Sequence, residues 1–367
     1  MTTVLESNKK LDYTFIHYLR IFACLLIVIK HVAGSAVDYF FNAASYESSI
    51  RIALLTINNI LWFAVNLFFM ITGFIYLSDD KECTYKSVSK NIIRLFLYLL
   101  VFGLIFTLLL EVIGGRRLFS LNDFFNLLGT RPITLDLVLK SLKEVLAGRN
   151  QWGHMWFMYE IIKIYLILPI LKPFVKANEK NIFILLGITI VFNYIFPMIR
   201  KPFGITIYNF FPAGIYIIMT ILGGAFAKIH KNIKTSYSCI AAFLAIVLIA
   251  TYSYGNITTG SIRYIGTTNL ISVAIATLTF TAFINLSKEL RIVQLISKCT
   301  LLIYLLHPMV IHIFYGILKL NPLKYNLILS IPLTTLCIFI STLIIAFIIE
   351  FALGKLHLVF AIKNQVE

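Results

Sequence analysis

The chain has 367 residues, 59% of them hydrophobic, with a mean hydropathy of +0.89 and a formal net charge of +16. That apolar content excludes an ordinary soluble domain, and its apolar runs recur at bilayer-spanning length, so the expected fold is all-α, a polytopic transmembrane bundle. The positive charge is spread over successive loops rather than gathered on one face or arm, so nucleic acid is not the partner that explains it.

Windows of about 19 residues give ten spans, at 15–36, 52–77, 92–113, 155–174, 182–198, 211–229, 237–254, 269–286, 301–318 and 327–354. An even count places both termini on one side. Basic residues cluster at every second turn: Lys81, Lys86, Lys90 and Arg94, then Lys172, Lys176 and Lys180, then Lys228, Lys231 and Lys234, then Lys288, Arg291 and Lys298. The short intervening loops carry few, so the positive-inside rule makes both termini cytoplasmic. The first span ends in Ala33-Gly34-Ser35-Ala36, a sequence of signal-cleavage type, but Arg20, Lys30 and His31 within the apolar stretch make it a retained signal anchor. Cys24, Cys83, Cys239, Cys299 and Cys337 are odd in number and sit mostly in or beside spans, so neither a disulfide framework nor a metal cluster follows. Residues 1–367 read as a single membrane-embedded domain without internal repeats.

Four places in this plan carry groups that could do chemistry. On the first helix, Tyr13, His17, Arg20, Cys24, Ile27 and His31 step by four and three residues and so share one face. Arg20 and His31 fall within about 20° of one another and about 16 Å apart along the axis. An Arg at the inner edge therefore sets His31 well inside the membrane, where an ionisable group is a functional candidate by default. The structural alternatives are a hydrogen-bonded core histidine and an interfacial anchor. At the start of the third helix, Lys86, Lys90 and Arg94 stack at i, i+4 and i+8; with Arg20 they would form a basic mouth for a multiply anionic ligand, or simply obey the charge rule.

The segment 114–153 is long, external and basic. Within it Leu135, Val138, Leu139, Leu142, Val145 and Leu146 recur at helical spacing behind Thr134, a suitable N-cap, which predicts an interfacial helix that packs on the bundle or serves as a lid. The fourth span opens with Trp152, His154 and Trp156, an aromatic belt or an acceptor contact, followed by Glu160 and Lys163, three apart and expected to pair. Late in the chain Tyr304 and His307 lie on one helix just before Pro308, which should kink it and free carbonyls for a local polar cluster.

At these residues the chain resembles the acyltransferase-3 family of integral membrane proteins, which modify surface carbohydrates with acetyl or related acyl groups. Arg20 and His31 match its first-helix Arg and His, Phe68-Phe69-Met70-Ile71-Thr72-Gly73-Phe74 its second-helix motif, Trp156-Phe157 with Tyr165 and Pro169 its fourth-helix pattern, and Ile303 to His307 its late Ile-Tyr-Leu-x-His. Two departures stand out: His17 occupies the place of the usual acidic residue three before the Arg, and Lys90 and Arg94 replace a differently spaced Arg pair. The resemblance is to the stand-alone form, without an added esterase-like domain.

The resemblance implies O-acylation, foremost O-acetylation, of an extracytoplasmic or lipid-linked polysaccharide by cytoplasmic acetyl-CoA. His31 would be catalytic, as general base or acyl carrier; Arg20, Lys90 and Arg94 would hold the coenzyme; Trp152, His154, Glu160, Tyr304 and His307 would contact substrate; no metal is called for. The implied surroundings are the plasma membrane, the lipid bilayer, acyl-CoA and a carbohydrate acceptor, with a homodimer or the polysaccharide-synthesis machinery as further partners. The alternatives are an exporter of a glycan or small polar solute, for which repeats and helices broken at midplane would be expected, and a membrane sensor without turnover.

Overall fold

The computed structural model describes residues 12–38, 48–78, 81–112, 133–149, 153–178, 180–195, 216–229, 235–258, 266–267, 269–320 and 322–363. All regular structure among them is helical: α1 Thr14–Asp38, α2 Ser48–Ile60, α3 Ala64–Leu77, α4 Tyr85–Val112, α5 Leu135–Leu146, α6 Trp156–Ala177, α7 Lys180–Ile190, α8 Tyr216–Ile229, α9 Thr235–Thr258, α10 Leu270–Phe283, α11 Arg291–His312 and α12 Leu327–Lys363. Among the described residues six stretches are long and apolar enough to cross a membrane: Thr14–Gly34, Ile52–Leu77, Tyr85–Glu111, Ser236–Gly255, Arg291–Ile317 and Leu327–Leu353. Lys180–Ile190, Tyr216–Ile229 and Leu270–Phe283 are apolar but shorter. The second predicted span is two helices joined by the single 3-10 turn Leu61–Phe63.

Apolar side chains such as Leu97, Val101 and Ile105 on α4, Phe243 and Leu248 on α9, and Leu333, Ile340 and Ile348 on α12 point outward. Exposed apolar patches of that extent are the surface a bilayer covers. The polar groups are inside. α1 is the central element, packed against α2, α3, α10, α11 and α12, and its Leu19, Ala23, Cys24, Val28 and Val32 are fully buried.

The closest helix pair is α3 with α8, and two glycines explain it. A Cβ on Gly73 would lie 1.7 Å from the Thr220 carbonyl oxygen, and one on Gly223 would lie 1.9 Å from that of Met70. Backbones meet directly at these points, the small-residue packing that membrane helices use where no side chain can intervene. Gly73 of the second-helix motif is thus a contact residue, and it fixes α3, which carries Phe68, Ile71 and Thr72 toward the interior site.

Thr134 caps α5 as its sequence suggests, its hydroxyl accepting from the Leu137 amide at 3.2 Å. α5 packs on α4 through buried Ser141 and Val145 and leaves Leu135, Leu139 and Leu146 exposed, the disposition of an interfacial helix. Most of the predicted loop 114–153 on either side of it, Trp152 included, lies outside the described residues. α11 begins well before the predicted 301 because the window method discounts its polar first turns, which are nonetheless helical. It also runs through Pro308 to His312 before a π turn at Ile313–Ile317. A proline removes the donor to the carbonyl four residues back.

Candidate functional site

The polar stripe of α1 faces α11. His17 Nδ1 and Ser297 Oγ are 3.0 Å apart, Cys24 Sγ donates to the Thr300 carbonyl at 3.6 Å, and the His31 ring centroid is 4.9 Å from that of His307. The pairs ascend together in both helices, so α1 and α11 run parallel. α11 presents a matching stripe, Ser297, Thr300, Tyr304 and His307, which steps by three, four and three residues and is buried throughout. His17, in the place of an acidic residue, thus bonds to Ser297 rather than to Arg20.

A cavity of about 440 Å³ opens between these helices and α3, α4, α6 and α12. Its polar lining includes Arg20, Asn91, Arg94, Ser297, Lys298 and Glu350, and its less polar wall includes Phe68, Ile71, Phe157, Ile161 and Tyr304. Arg94 is bound at 2.7 Å by Glu350 and touches Tyr98. Arg20 differs: among the described residues no carboxylate lies within ion-pair distance of it, and its electrostatic neighbours are the Tyr165 and Tyr76 phenols. A guanidinium turned into a cavity without an internal anion is suited to an anion from outside. Just beyond this mouth Lys81 sits over the Tyr76 ring at 4.4 Å, and burial, with the nearby Arg20 charge, lowers its pKa from the usual lysine value.

Tyr304 lines the cavity and stands at the edge of a histidine cluster. Its hydroxyl donates to the His154 backbone carbonyl, and its ring lies 5.8 Å from the His154 ring and 6.0 Å from that of His307. His154 and His307 are 5.8 Å apart. His154 comes from the 3-10 turn Gly153–Met155 that starts α6, and its Nε2–H donates to the Leu305 carbonyl at 3.2 Å. His307 Nδ1–H donates to the Ile303 carbonyl at 3.1 Å. Each imidazole therefore has one nitrogen held as a donor to backbone. Three histidines invite a metal, but among the described residues no three His, Cys, Asp or Glu side chains are placed to hold one. Lys30, next to His31, is buried with its ammonium 3.7 Å from the centre of the Trp62 ring.

The structure thus brings together Arg20, Arg94 and Tyr304 in the wall of the cavity and, beyond Tyr304, His31, His154 and His307. It does not bring Lys90 or Glu160 there. Lys90 is exposed one turn before Arg94 and outside the cavity. Glu160 pairs with Lys163 at 2.6 Å and lines a second cavity, of about 520 Å³, with α4 and the end of α5. That cavity is on the other face of α6 from Phe157 and Ile161. Lys298 and Asn91 are cavity residues that sequence reasoning passed over. The signal for Lys298 was present, since it adjoins the Ser297-Thr300-Tyr304-His307 stripe, but its charge was absorbed into the topology count.

A helical membrane protein with a basic cavity leading to a buried histidine cluster is the class these features define. The chain belongs to the acyltransferase-3 family: the family model, an acyltransferase domain, matches residues 13–351. No curated protein and no solved structure matches the chain. It is a membrane acyltransferase by family, and the match covers every helix that contributes to the cavity and to the histidine cluster.

Proposed function

We propose that the protein transfers an acyl group, foremost acetyl, from cytoplasmic acyl-CoA to a hydroxyl of an extracytoplasmic or lipid-linked polysaccharide, from a plasma-membrane bundle of ten spans with both termini inside. The observation that carries this reading is the line formed by Arg20, Arg94 and Lys298, the cavity, Tyr304 and the histidines. Donor and acceptor lie on opposite sides of a membrane. A cavity with cations at one end and Tyr304, which borders the histidine cluster, in its wall would let them meet without the coenzyme crossing.

In this reading Arg20 and Lys298, with Arg94 once it is shared with Glu350, hold the coenzyme phosphates. The pantetheine arm follows the apolar wall of Phe68, Ile71 and Phe157, and the thioester reaches Tyr304. His31, about 16 Å along α1 from Arg20, acts at the acyl carbon, as base toward the hydroxyl or as its transient carrier. In the base route the hydroxyl oxygen bonds the acyl carbon, the thioester C–S bond breaks and the hydroxyl proton ends on the coenzyme thiol. In the carrier route a His31 nitrogen first displaces the sulfur, the ring proton going to the coenzyme thiol, and the hydroxyl then displaces that nitrogen, its proton restoring the neutral ring. Lys90 remains a candidate for first capture of the phosphates at the mouth, and Trp152, His154 and Glu160 for the acceptor path. A carbohydrate acceptor would arrive from the side of α5 and the start of α6.

The test has two parts. Purified protein in bilayer discs is given acetyl-CoA with and without surface glycan, and release of the coenzyme thiol is followed; glycans from cells with and without the chain are compared by mass spectrometry for the acetyl increment. Glycan-dependent thiol release and an increment that disappears with the chain are expected. Transport of intact glycan without thiol release would move the protein to the exporter class.

A further inference from the structure

The geometry points to His307 as a second catalytic residue, the base that takes the proton of the acceptor hydroxyl. The proposal rests on the acyl-transfer reading above and adds to it the group that moves the proton.

Three observations carry it. First, His307 is fully buried, yet its Nε2 has no hydrogen-bond partner. Leaving a buried polar atom unpaired costs about 1–3 kcal/mol, and of the nine buried side-chain atoms so left among the described residues His307 Nε2 alone belongs to an imidazole that can take a proton. Second, the tautomer is fixed. Nδ1 must carry the proton because it donates to the Ile303 carbonyl, so the unpartnered Nε2 is a lone pair, the form a base requires. Third, the ring lies 4.9 Å from His31 and 6.0 Å from Tyr304, a residue of the cavity wall. A hydroxyl placed at His31 is within reach of Nε2.

His31 alone leaves the proton unassigned in one of its two roles. If His31 carries the acyl group, its nucleophilic nitrogen is occupied and cannot also accept the hydroxyl proton. With His307 the step balances in either role. The acceptor oxygen bonds the acyl carbon as its proton passes to His307 Nε2. The bond from the acyl carbon to its carrier, the coenzyme sulfur or a His31 nitrogen, then breaks, and the same proton moves from His307 to that leaving atom. His307 ends neutral, as it began. The groups that face it are His31 and Lys30 from α1, His154 from the turn before α6 and Tyr304 from its own helix. None is a carboxylate that would hold the ring permanently charged.

The decisive variant is His307→Asn, whose side-chain amide nitrogen stands near the Nδ1 position. It can keep the hydrogen bond to Ile303 while removing the base. His307→Gln, which reaches toward the Nε2 position but accepts no proton at neutral pH, is its companion. Both are assayed in bilayer discs for glycan-dependent thiol release from acetyl-CoA, with thermal unfolding in detergent as the structural readout. The expected result is a melting temperature close to wild type with a loss of turnover of about 10²- to 10⁴-fold, the usual effect of removing a general base. A structural histidine predicts that Asn retains turnover within tenfold, and that result would overturn the proposal. Failure of both variants to fold would overturn it too, by showing that the Nε2 side of the ring is needed for packing. Absence of turnover in the wild type would instead defeat the acyl-transfer reading itself.

Discussion

Replacing Arg20 by Ala should raise the KM for acetyl-CoA by about 10- to 100-fold with kcat nearly unchanged. The magnitude follows from the state of the guanidinium. Arg20 lines the cavity without a carboxylate partner among the described residues, so a bound phosphate would gain a charge-assisted hydrogen bond that displaces nothing. Such bonds contribute about 1.5–3 kcal/mol, and each 1.4 kcal/mol is tenfold. The contact lies about 16 Å from the reacting centre and is the same in ground and transition states, so its loss appears in KM rather than in kcat. Arg20→Lys should fall between, since an ammonium keeps the charge but not the two-pronged geometry. Lys90→Ala, at the mouth but outside the cavity, should raise that KM by less than Arg20→Ala does. The assay is initial-rate thiol release over a range of acetyl-CoA, repeated with an acetyl thioester of pantetheine, which lacks the nucleotide phosphates. Only the full coenzyme should sense Arg20. An unchanged KM for acetyl-CoA, or an equal defect with the short donor, would refute phosphate binding at this residue.

The opposite sign is expected at Glu350, whose carboxylate holds Arg94 at 2.7 Å in a pair that is partly exposed. Exposed pairs contribute about 0.2–1 kcal/mol, so Glu350→Gln should lower the donor KM by no more than about fivefold; a rise would show that Glu350 organises the mouth rather than competes for it. Gly73→Ala should destabilise by more than the usual overpacking cost of about 1–3 kcal/mol, because the new Cβ would meet backbone at 1.7 Å, while Gly187→Ala, with nothing within 4 Å, should leave the melting temperature in detergent unchanged or slightly raised. Equal melting temperatures for the two would refute the backbone contact of α3 and α8. His31→Ala and His31→Gln should both fold and both lose about 10²- to 10⁴-fold in turnover, since neither accepts a proton at neutral pH; an active Gln variant beside a destabilised Ala variant would make His31 a structural hydrogen-bonding residue.

Local periodicity was legible in the chain and long-range pairing was not. The stripe from Tyr13 to His31 and the capped helix behind Thr134 are properties of a few turns of sequence, and both stand in the structure as read. The Glu160–Lys163 pair is also local, and it forms. What α1 faces is a different matter, because His17 meets Ser297 and His31 meets His307 across more than half the chain, and nothing in either segment names the other. Pro308 shows the limit of a local rule. It predicts a kink and freed carbonyls, and the helix nonetheless continues to His312, with the His307 ring bonded to the Ile303 carbonyl beside the freed one. Lys90 shows the converse, since spacing of four from Arg94 put both on one face but could not say that the cavity ends between them.

The basic mouth illustrates why a topology signal and a binding signal are hard to separate in such a chain. Arg20, Arg94 and Lys298 all lie in the N-terminal halves of their helices, α1, α4 and α11, where the positive-inside rule puts cations for reasons of insertion alone. α1 and α11 run parallel, and α4 brings its own N-terminal half to the same cavity, so three N-terminal halves converge on one space. Glu350, from the later part of α12, is the one carboxylate among the cavity-lining residues, and it is spent on Arg94. Residues that one rule places for topology thus become a site for polyanions wherever packing turns them inward. Lys81, Lys86 and Lys90 obey the same rule and remain outside the cavity, and this difference in placement, rather than charge, is why Arg20, Arg94 and Lys298 are the residues proposed to hold the donor inside it.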